Sequence, residues 1–152
     1  MTTENILQKI IIENIQFYSA NINSKEYKLE KKLYNIKKIH NSGIIEYLNE
    51  KYFYPTIILF GSYSKGEDTQ TSDIDIYIES RIKNIIIPEK YEIFMKKKIQ
   101  IFLSKKLFEI SNEYLINSII NGITLNGFIE IKNESNRSTR MYKKQPNNKN
   151  NS

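Results

Sequence analysis

Ser72-Asp73-Ile74-Asp75-Ile76 begins six residues after the turn Gly61-Ser62-Tyr63-Ser64-Lys65-Gly66. In an extended strand alternate residues share a face, so Asp73, Asp75 and Tyr77 point one way and Ile74, Ile76 and Ile78 the other. Two carboxylates side by side raise each other's pKa and call for a compensating charge. Oxygen-only ligands favour a hard divalent ion, Mg²⁺ or in its place Mn²⁺, which keeps waters and is completed by substrate phosphates. The turn ahead of them suits the phosphates. Gly61 lets the backbone approach a ligand closely, and Ser62 adds a hydroxyl donor beside outward-pointing N–H groups. A nucleoside triphosphate, ATP or another NTP, held on Gly61 and Ser62 would share a metal with Asp73 and Asp75. The chemistry that fits is attack of an acceptor oxygen on the α-phosphate, with the metal offsetting charge on attacking and leaving oxygens.

These residues need rigid carriers, and the surrounding sequence supplies them. Thr56-Ile57-Ile58-Leu59-Phe60, between Pro55 and Gly61, reads as a buried strand whose carboxyl end is the turn. Ser64 to Thr69 reads as a short helix with its N-terminus toward phosphate, placing Lys65 where it meets phosphate or water. Arg81 and Lys83, following the aspartate strand, could lie near the nucleotide, but strand-end cations more often face water. Pro88 to Lys97 reads as a helix, Lys98 to Leu103 as a later strand, Ser104 as the cap of Lys105 to Ile110, and Ser111 or Asn112 as the cap of a helix through Ile120. Ile123 to Ile131 adds a last strand or extended segment. Upstream, apolar residues at Ile6, Leu7, Ile10, Ile11, Ile15 and Phe17 predict a helix over Glu4 to Phe17, capped by Thr2 or Thr3. A second helix runs from Ser24 to the Asn41-Ser42-Gly43 stop, and a third covers Ile44 to Lys51.

The 152 residues fit one domain. The expected division is a helical segment over 1–43, a catalytic domain over 44–132 and a polar tail over 133–152. With no cysteine and one histidine, His40, thiolate and histidine-cluster metal sites are excluded. Apolar runs are far shorter than a membrane span and the first residues lack a signal peptide's apolar core, so the expected location is the cytoplasm. The net charge of +6 is concentrated at the end: Arg137, Arg140, Lys143, Lys144 and Lys149 oppose only Glu134. Such a tail is expected to be disordered, and nucleic acid or an acidic partner is the ligand its charge would suit. Tyr77 reads as packing, and His40 as a helix-terminal cation.

Phe60-Gly61-Ser62, Lys65-Gly66 and Ser72-Asp73-Ile74-Asp75-Ile76 together resemble the signature of the DNA polymerase beta nucleotidyltransferase superfamily, most closely its minimal nucleotidyltransferase branch. The resemblance covers roughly Tyr47 to Gly127. It implies an α/β (α+β) nucleotidyltransferase fold, a small mixed sheet with helices on one side, here preceded by N-terminal helices. It also implies phosphate binding by Gly61 and Ser62, with Lys65 a further candidate, and metal binding by Asp73 and Asp75. The family's third carboxylate, on a later strand, falls on Gln100, an amide that cannot act as a base and coordinates weakly. Substrate or Glu79 could supply the missing oxygen. The implied activity is transfer of a nucleoside monophosphate, AMP from ATP above all, to a hydroxyl of a small molecule, an RNA end or a partner protein. The alternative is a catalytically weakened, antitoxin-like nucleotide-binding protein that works by covering a partner. Because the chain shows no acceptor-binding half, a partner or a homo-oligomer would have to provide one.

Overall fold

The computed structural model describes residues 5–131. The expected tail lies outside these residues, as do Thr2 and Thr3. Twelve stretches of regular structure follow one another: β1 (Leu7–Ile12), β2 (Ile15–Ala20), α1 (Lys25–Ser42), α2 (Ile44–Tyr52), β3 (Thr56–Phe60), α3 (Gly61–Lys65), β4 (Ile74–Glu79), α4 (Glu89–Met95), β5 (Ile99–Ser104), a 3₁₀ turn (Leu107–Glu109), α5 (Glu113–Ile120) and β6 (Ile123–Asn126).

The first of these corrects the sequence reading. Instead of a helix over Glu4 to Phe17, the chain forms an antiparallel ribbon in which Ile10 faces Phe17 and Ile12 faces Ile15. Glu13 and Asn14, the two residues between the strands, both take positive φ (48° and 66°). That is the mirror-image turn whose twist matches a two-residue hairpin, and the β-branched Ile10-Ile11-Ile12 run fits a strand better than a helix. All of β1 and the first four residues of β2 are exposed.

The helices that follow end where local chemistry tells them to. Ser24 caps α1, its Oγ accepting from the Tyr27 N–H at 3.0 Å, and Gly43 stops it in a left-handed conformation (φ 75°). Asn112 caps α5 in the same way, accepting from the Leu115 N–H at 3.1 Å. The segment expected to be a helix under Ser104 is only the 3₁₀ turn, with Lys106 at its start, and Ser104 Oγ instead donates to the Lys106 carbonyl. The last strand stops at Asn126.

Four strands form a mixed sheet in the order β5-β4-β3-β6. β3 is antiparallel to both β4 and β6, whereas β4 and β5 are parallel. One face carries most of the helical mass, as expected: Ile57, Leu59, Ile74, Ile76 and Ile78 pack against buried residues of α1, α2 and α4, among them Ile39, Leu48 and Met95. On the opposite face Ile58, Phe60 and Tyr77 meet Leu107 of the 3₁₀ turn and Ile119 of α5. No helix among the described residues is long and apolar enough to cross a membrane.

Gly66 joins this core to the turn. It sits at the end of α3 with φ 71°, and a Cβ there would lie 2.2 Å from the Lys28 carbonyl oxygen and 2.8 Å from the Lys32 nitrogen. Both atoms are α1 backbone and cannot swing aside. Gly66→Ala is therefore expected to destabilise the protein by about 2 kcal/mol, from the left-handed strain plus the forced retreat of α1. Urea unfolding would show this as a lower midpoint at unchanged m.

Candidate functional site

The topology gathers the sequence-predicted residues at one end of the sheet. β3 ends at Phe60, opposite Asp75 near the start of β4, and the parallel register sets Asp75 beside Gln100 on β5. The turn, the aspartates and the amide thus converge although they lie far apart in sequence. Gly61 begins α3 with φ 73°, and a Cβ there would lie 2.3 Å from Asp75 Oδ2. The glycine is needed because the carboxylate rests against the turn. A phosphate on the turn and a cation on Asp75 would consequently be neighbours.

The short helix α3 starts at Gly61, earlier than the sequence pattern suggested, so Lys65 lies in its last turn and is exposed. Ser64 Oγ donates to the Gly61 carbonyl at 2.8 Å and fixes the turn's shape. Ser62 remains partly exposed, and its hydroxyl makes no hydrogen bond among the described residues. Asp73 is exposed and Asp75 half-buried. Burial first, and then the charge of Asp73, raise the Asp75 pKa above its ordinary value of 3.8. Burial and a neighbouring like charge both disfavour the ionised form.

Those observations are the test of whether a divalent ion suits the site. Two adjacent carboxylates, one of them short of solvent, and the Gln100 carbonyl form an oxygen-only donor set that fits one hard cation shared with a phosphate. Among the described residues no group of three or more His, Cys, Asp or Glu side chains could hold a metal. The residue beside Asp75 on β5 is the amide Gln100.

Glu79 does not replace it. Its register partner is Thr56, at the far end of β3 from the turn. The Glu79 carboxylate is occupied there, accepting from Lys106 Nζ at 2.8 Å and from the Leu107 N–H at 3.0 Å. Arg81 and Lys83 leave β4 at the same remote end, away from the turn, as the solvated reading of strand-end cations has it. Tyr77 shares the aspartates' face but is fully buried, and its hydroxyl, pushed up to about 12 chiefly by burial, is hydrogen-bonded with Ser104 at 2.9 Å. It is core.

What positions Asp73 was not visible in the sequence. Between Gly66 and Asp73 the chain is pinned by Asp68, a carboxylate only 6% exposed. Its Oδ1 accepts from Asn35 Nδ2 at 2.7 Å, and Lys31 and Lys97 approach its oxygens at 3.5 Å. Asn35, buried on α1, also donates to the Tyr63 carbonyl at 3.0 Å. Lys97 donates to the carbonyls of Thr69 and Ser72, and Ser72 Oγ accepts from the Thr69 N–H at 2.9 Å. Asp73 leaves a loop whose backbone is held from α1 and from the residues entering β5.

Two clefts flank this loop. One, of about 530 Å³, is lined by Ser72, Asp73, Glu92, Lys96, Lys97 and Lys98 among others, and opens beside the aspartate. The larger, about 930 Å³, lies on the α1 side of the turn. Four of its five lysines are engaged: Lys28 with Glu67 at 2.9 Å, Lys31 and Lys97 with Asp68, and Lys38 with the Met95 carbonyl at 3.0 Å. The smaller cleft is the one that reaches Asp73.

Comparison with known proteins agrees with this geometry. The chain is 56% identical over 32 residues to each of two proteins of Methanocaldococcus jannaschii (strain ATCC 43067), both named "Putative protein adenylyltransferase", MJ1379 and MJ0126. The match covers 21% of this chain, and the chain spans about a third of those relatives' length (32% and 33%). No solved structure matches significantly. The family described as the nucleotidyltransferase domain matches residues 41–137, well over half of the sequence, and the chain belongs to that family.

Proposed function

We propose that this protein is an Mg²⁺-dependent nucleotidyltransferase that moves AMP from ATP to an acceptor hydroxyl. The observation that carries the reading is the contact between Asp75 and Gly61, which makes the phosphate turn and the acidic pair one site. In the reaction the acceptor oxygen bonds to the α-phosphorus, the bond to the bridging oxygen breaks, and pyrophosphate leaves with that electron pair. Gly61 and Ser62 hold and orient the polyphosphate, leaving the α-phosphate open to the acceptor. Asp73 and Asp75 hold the divalent ion, which offsets charge on the phosphate oxygens when bound. With an amide at position 100, the acceptor's proton passes to water or to a group on the acceptor side. The names of the two relatives favour the adenylyl group and, among the possible acceptors, a protein hydroxyl over a small molecule or an RNA end.

Gln100 also favours a second reading, in which the site binds nucleotide and the protein acts by covering a partner. Labelled ATP, Mg²⁺ and lysate, beside an Asp73→Asn, Asp75→Asn control, separate the two. Label transferred by the wild-type chain alone supports transfer, whereas labelling no higher than the control supports binding without chemistry.

Because Gln100 stands beside Asp75 in register, Gln100→Asp is expected to raise any transfer rate by about tenfold or more, as restoration of a metal ligand and a base should. An unchanged rate in a single-turnover assay would refute that assignment of position 100.

A further inference from the structure

The edge strand β5 offers the aspartates more than an amide. Where Gln100 flanks Asp75, Lys98 flanks Asp73: the Ile74 N–H, next to Asp73, donates to the Lys98 carbonyl at 2.8 Å, and both side chains line the 530 Å³ cleft. The lysine side chain is 76% exposed, and its Nζ is steadied by Glu92 Oε2 at 2.8 Å. Glu92 is itself fixed, because its other oxygen accepts from the Ile99 N–H at 3.0 Å. The result is an ammonium on a flexible stem, anchored at the mouth of the cleft, within a swing of the acidic pair. Lys96 and Lys97 line the same cleft, but Lys97 is committed to Asp68 and two backbone carbonyls, and the exposed Lys96 precedes the strand and has no register position beside the aspartates. Among the described residues, Asp73 and Asp75 are the two carboxylates of the candidate cation site, Glu92 being paired with Lys98, and two such charges balance one divalent ion and leave the triphosphate's charge largely unmatched.

Resting on the nucleotidyl-transfer reading, we propose that Lys98 supplies the positive charge that a second metal would otherwise bring, so that this site takes up its nucleoside triphosphate with one divalent cation and one lysine. Gln100 and Lys98 then act as a unit. The amide removes the ligand for a second ion, and the ammonium neutralises phosphate oxygens in its stead. Glu92 is the positioning residue.

The test uses the full chain with Mn²⁺ and a non-hydrolysable ATP analogue, counting bound Mn²⁺ by electron paramagnetic resonance and measuring analogue affinity by calorimetry. The expected result is one Mn²⁺ per chain. Lys98→Met should weaken analogue binding roughly five- to twentyfold, the effect of one solvent-screened charge at close range, with thermal stability nearly unchanged. Lys98→Arg should retain most of the affinity. The control is Lys90→Met, which removes a lysine that lies over the Tyr91 ring on α4; it should bind as the wild type does. Two bound Mn²⁺ in the wild type, undiminished affinity in Lys98→Met, or an equal loss in Lys90→Met would each overturn the proposal while leaving nucleotide binding intact. Wild-type protein that takes up no analogue would instead overturn the nucleotidyl-transfer reading, and this inference with it.

Discussion

Asp75→Asn is expected to weaken Mg²⁺-dependent ATP binding by about a hundredfold or more while making the ligand-free protein more stable. The first effect follows from removing one of two carboxylates in the cation site; even residues that only support a metal ligand cost ten- to a hundredfold when lost. The second follows from the sign of the pKa shift. Asp75 is held above its ordinary 3.8, by burial first and by Asp73 second. A carboxyl whose folded-state value is raised favours the protonated form in the folded protein. Below its ordinary value both folded and unfolded chains are protonated, and it contributes nothing. As pH rises from there through the raised value, stability is lost, and above that window the loss is complete. The amide has no charge to desolvate, so Asp75→Asn should melt above the wild type at pH values beyond the window and show a flatter pH profile. Thermal melts across pH in chelator check this directly. Metal uptake requires the ionised form, so wild-type affinity for the Mg²⁺ complex of ATP should climb with pH over the same interval. A variant that melts below the wild type would show that Asp75 supports the fold instead of straining it. Stability given up to hold two carboxylates together is the trade expected of a functional site.

The parts of this site that were legible in the sequence are those governed by local rules. Thr56–Phe60 forms the strand its β-branched run suggested, Ser24 and Gly43 bound α1 as cap chemistry requires, and the alternation of Asp75 and Tyr77 against three isoleucines survives in β4, with Asp73 one residue ahead of the strand. The position of Gln100 beside Asp75 was also within reach, since a strand pattern and a family spacing both pointed to it. What failed depended on the competition between periods or on the third dimension. Ile6, Leu7, Ile10 and Ile11 satisfy helical spacing, but the positive φ angles at Glu13 and Asn14 bring Ile12 against Ile15 and settle the segment as a hairpin. The signal that could have found it was an Asn in a two-residue gap between β-branched runs. Arg81 and Lys83, read as solvated, are close to the aspartates along the chain and distant in space, because β4 carries them to the opposite end of the sheet. Asn35 and Asp68 had no local signal at all. A lone amide in a lysine-rich helix and a lone acid in a polar loop read as solvated, and only the docking of α1 on the turn makes them one buried cluster.

That cluster sets the largest expected loss of stability. Asp68→Ala should cost about 3–5 kcal/mol, the range for breaking a buried ion pair by removing one partner. The carboxylate is 4% exposed as a side chain, and without it Lys97, 13% exposed, would keep only neutral carbonyl partners for its charge, and Asn35 would have one amide N–H unanswered. Lys31, more exposed at 25%, can turn to water and loses less. Asp68→Asn keeps the volume and an acceptor for Asn35 but not the charge, so it should fall between the wild type and alanine. Urea unfolding of the three proteins orders them, and an alanine variant within about 1 kcal/mol of wild type would rule out the network as a source of stability. The consequence extends to the chemistry because Lys97 holds the Thr69 and Ser72 carbonyls as well as Asp68. Freed of its ion pair, it no longer fixes the segment that delivers Asp73. Any Asp68 variant that still folds should therefore bind the Mg²⁺ complex of ATP more weakly, although Asp68 lies outside the cation site.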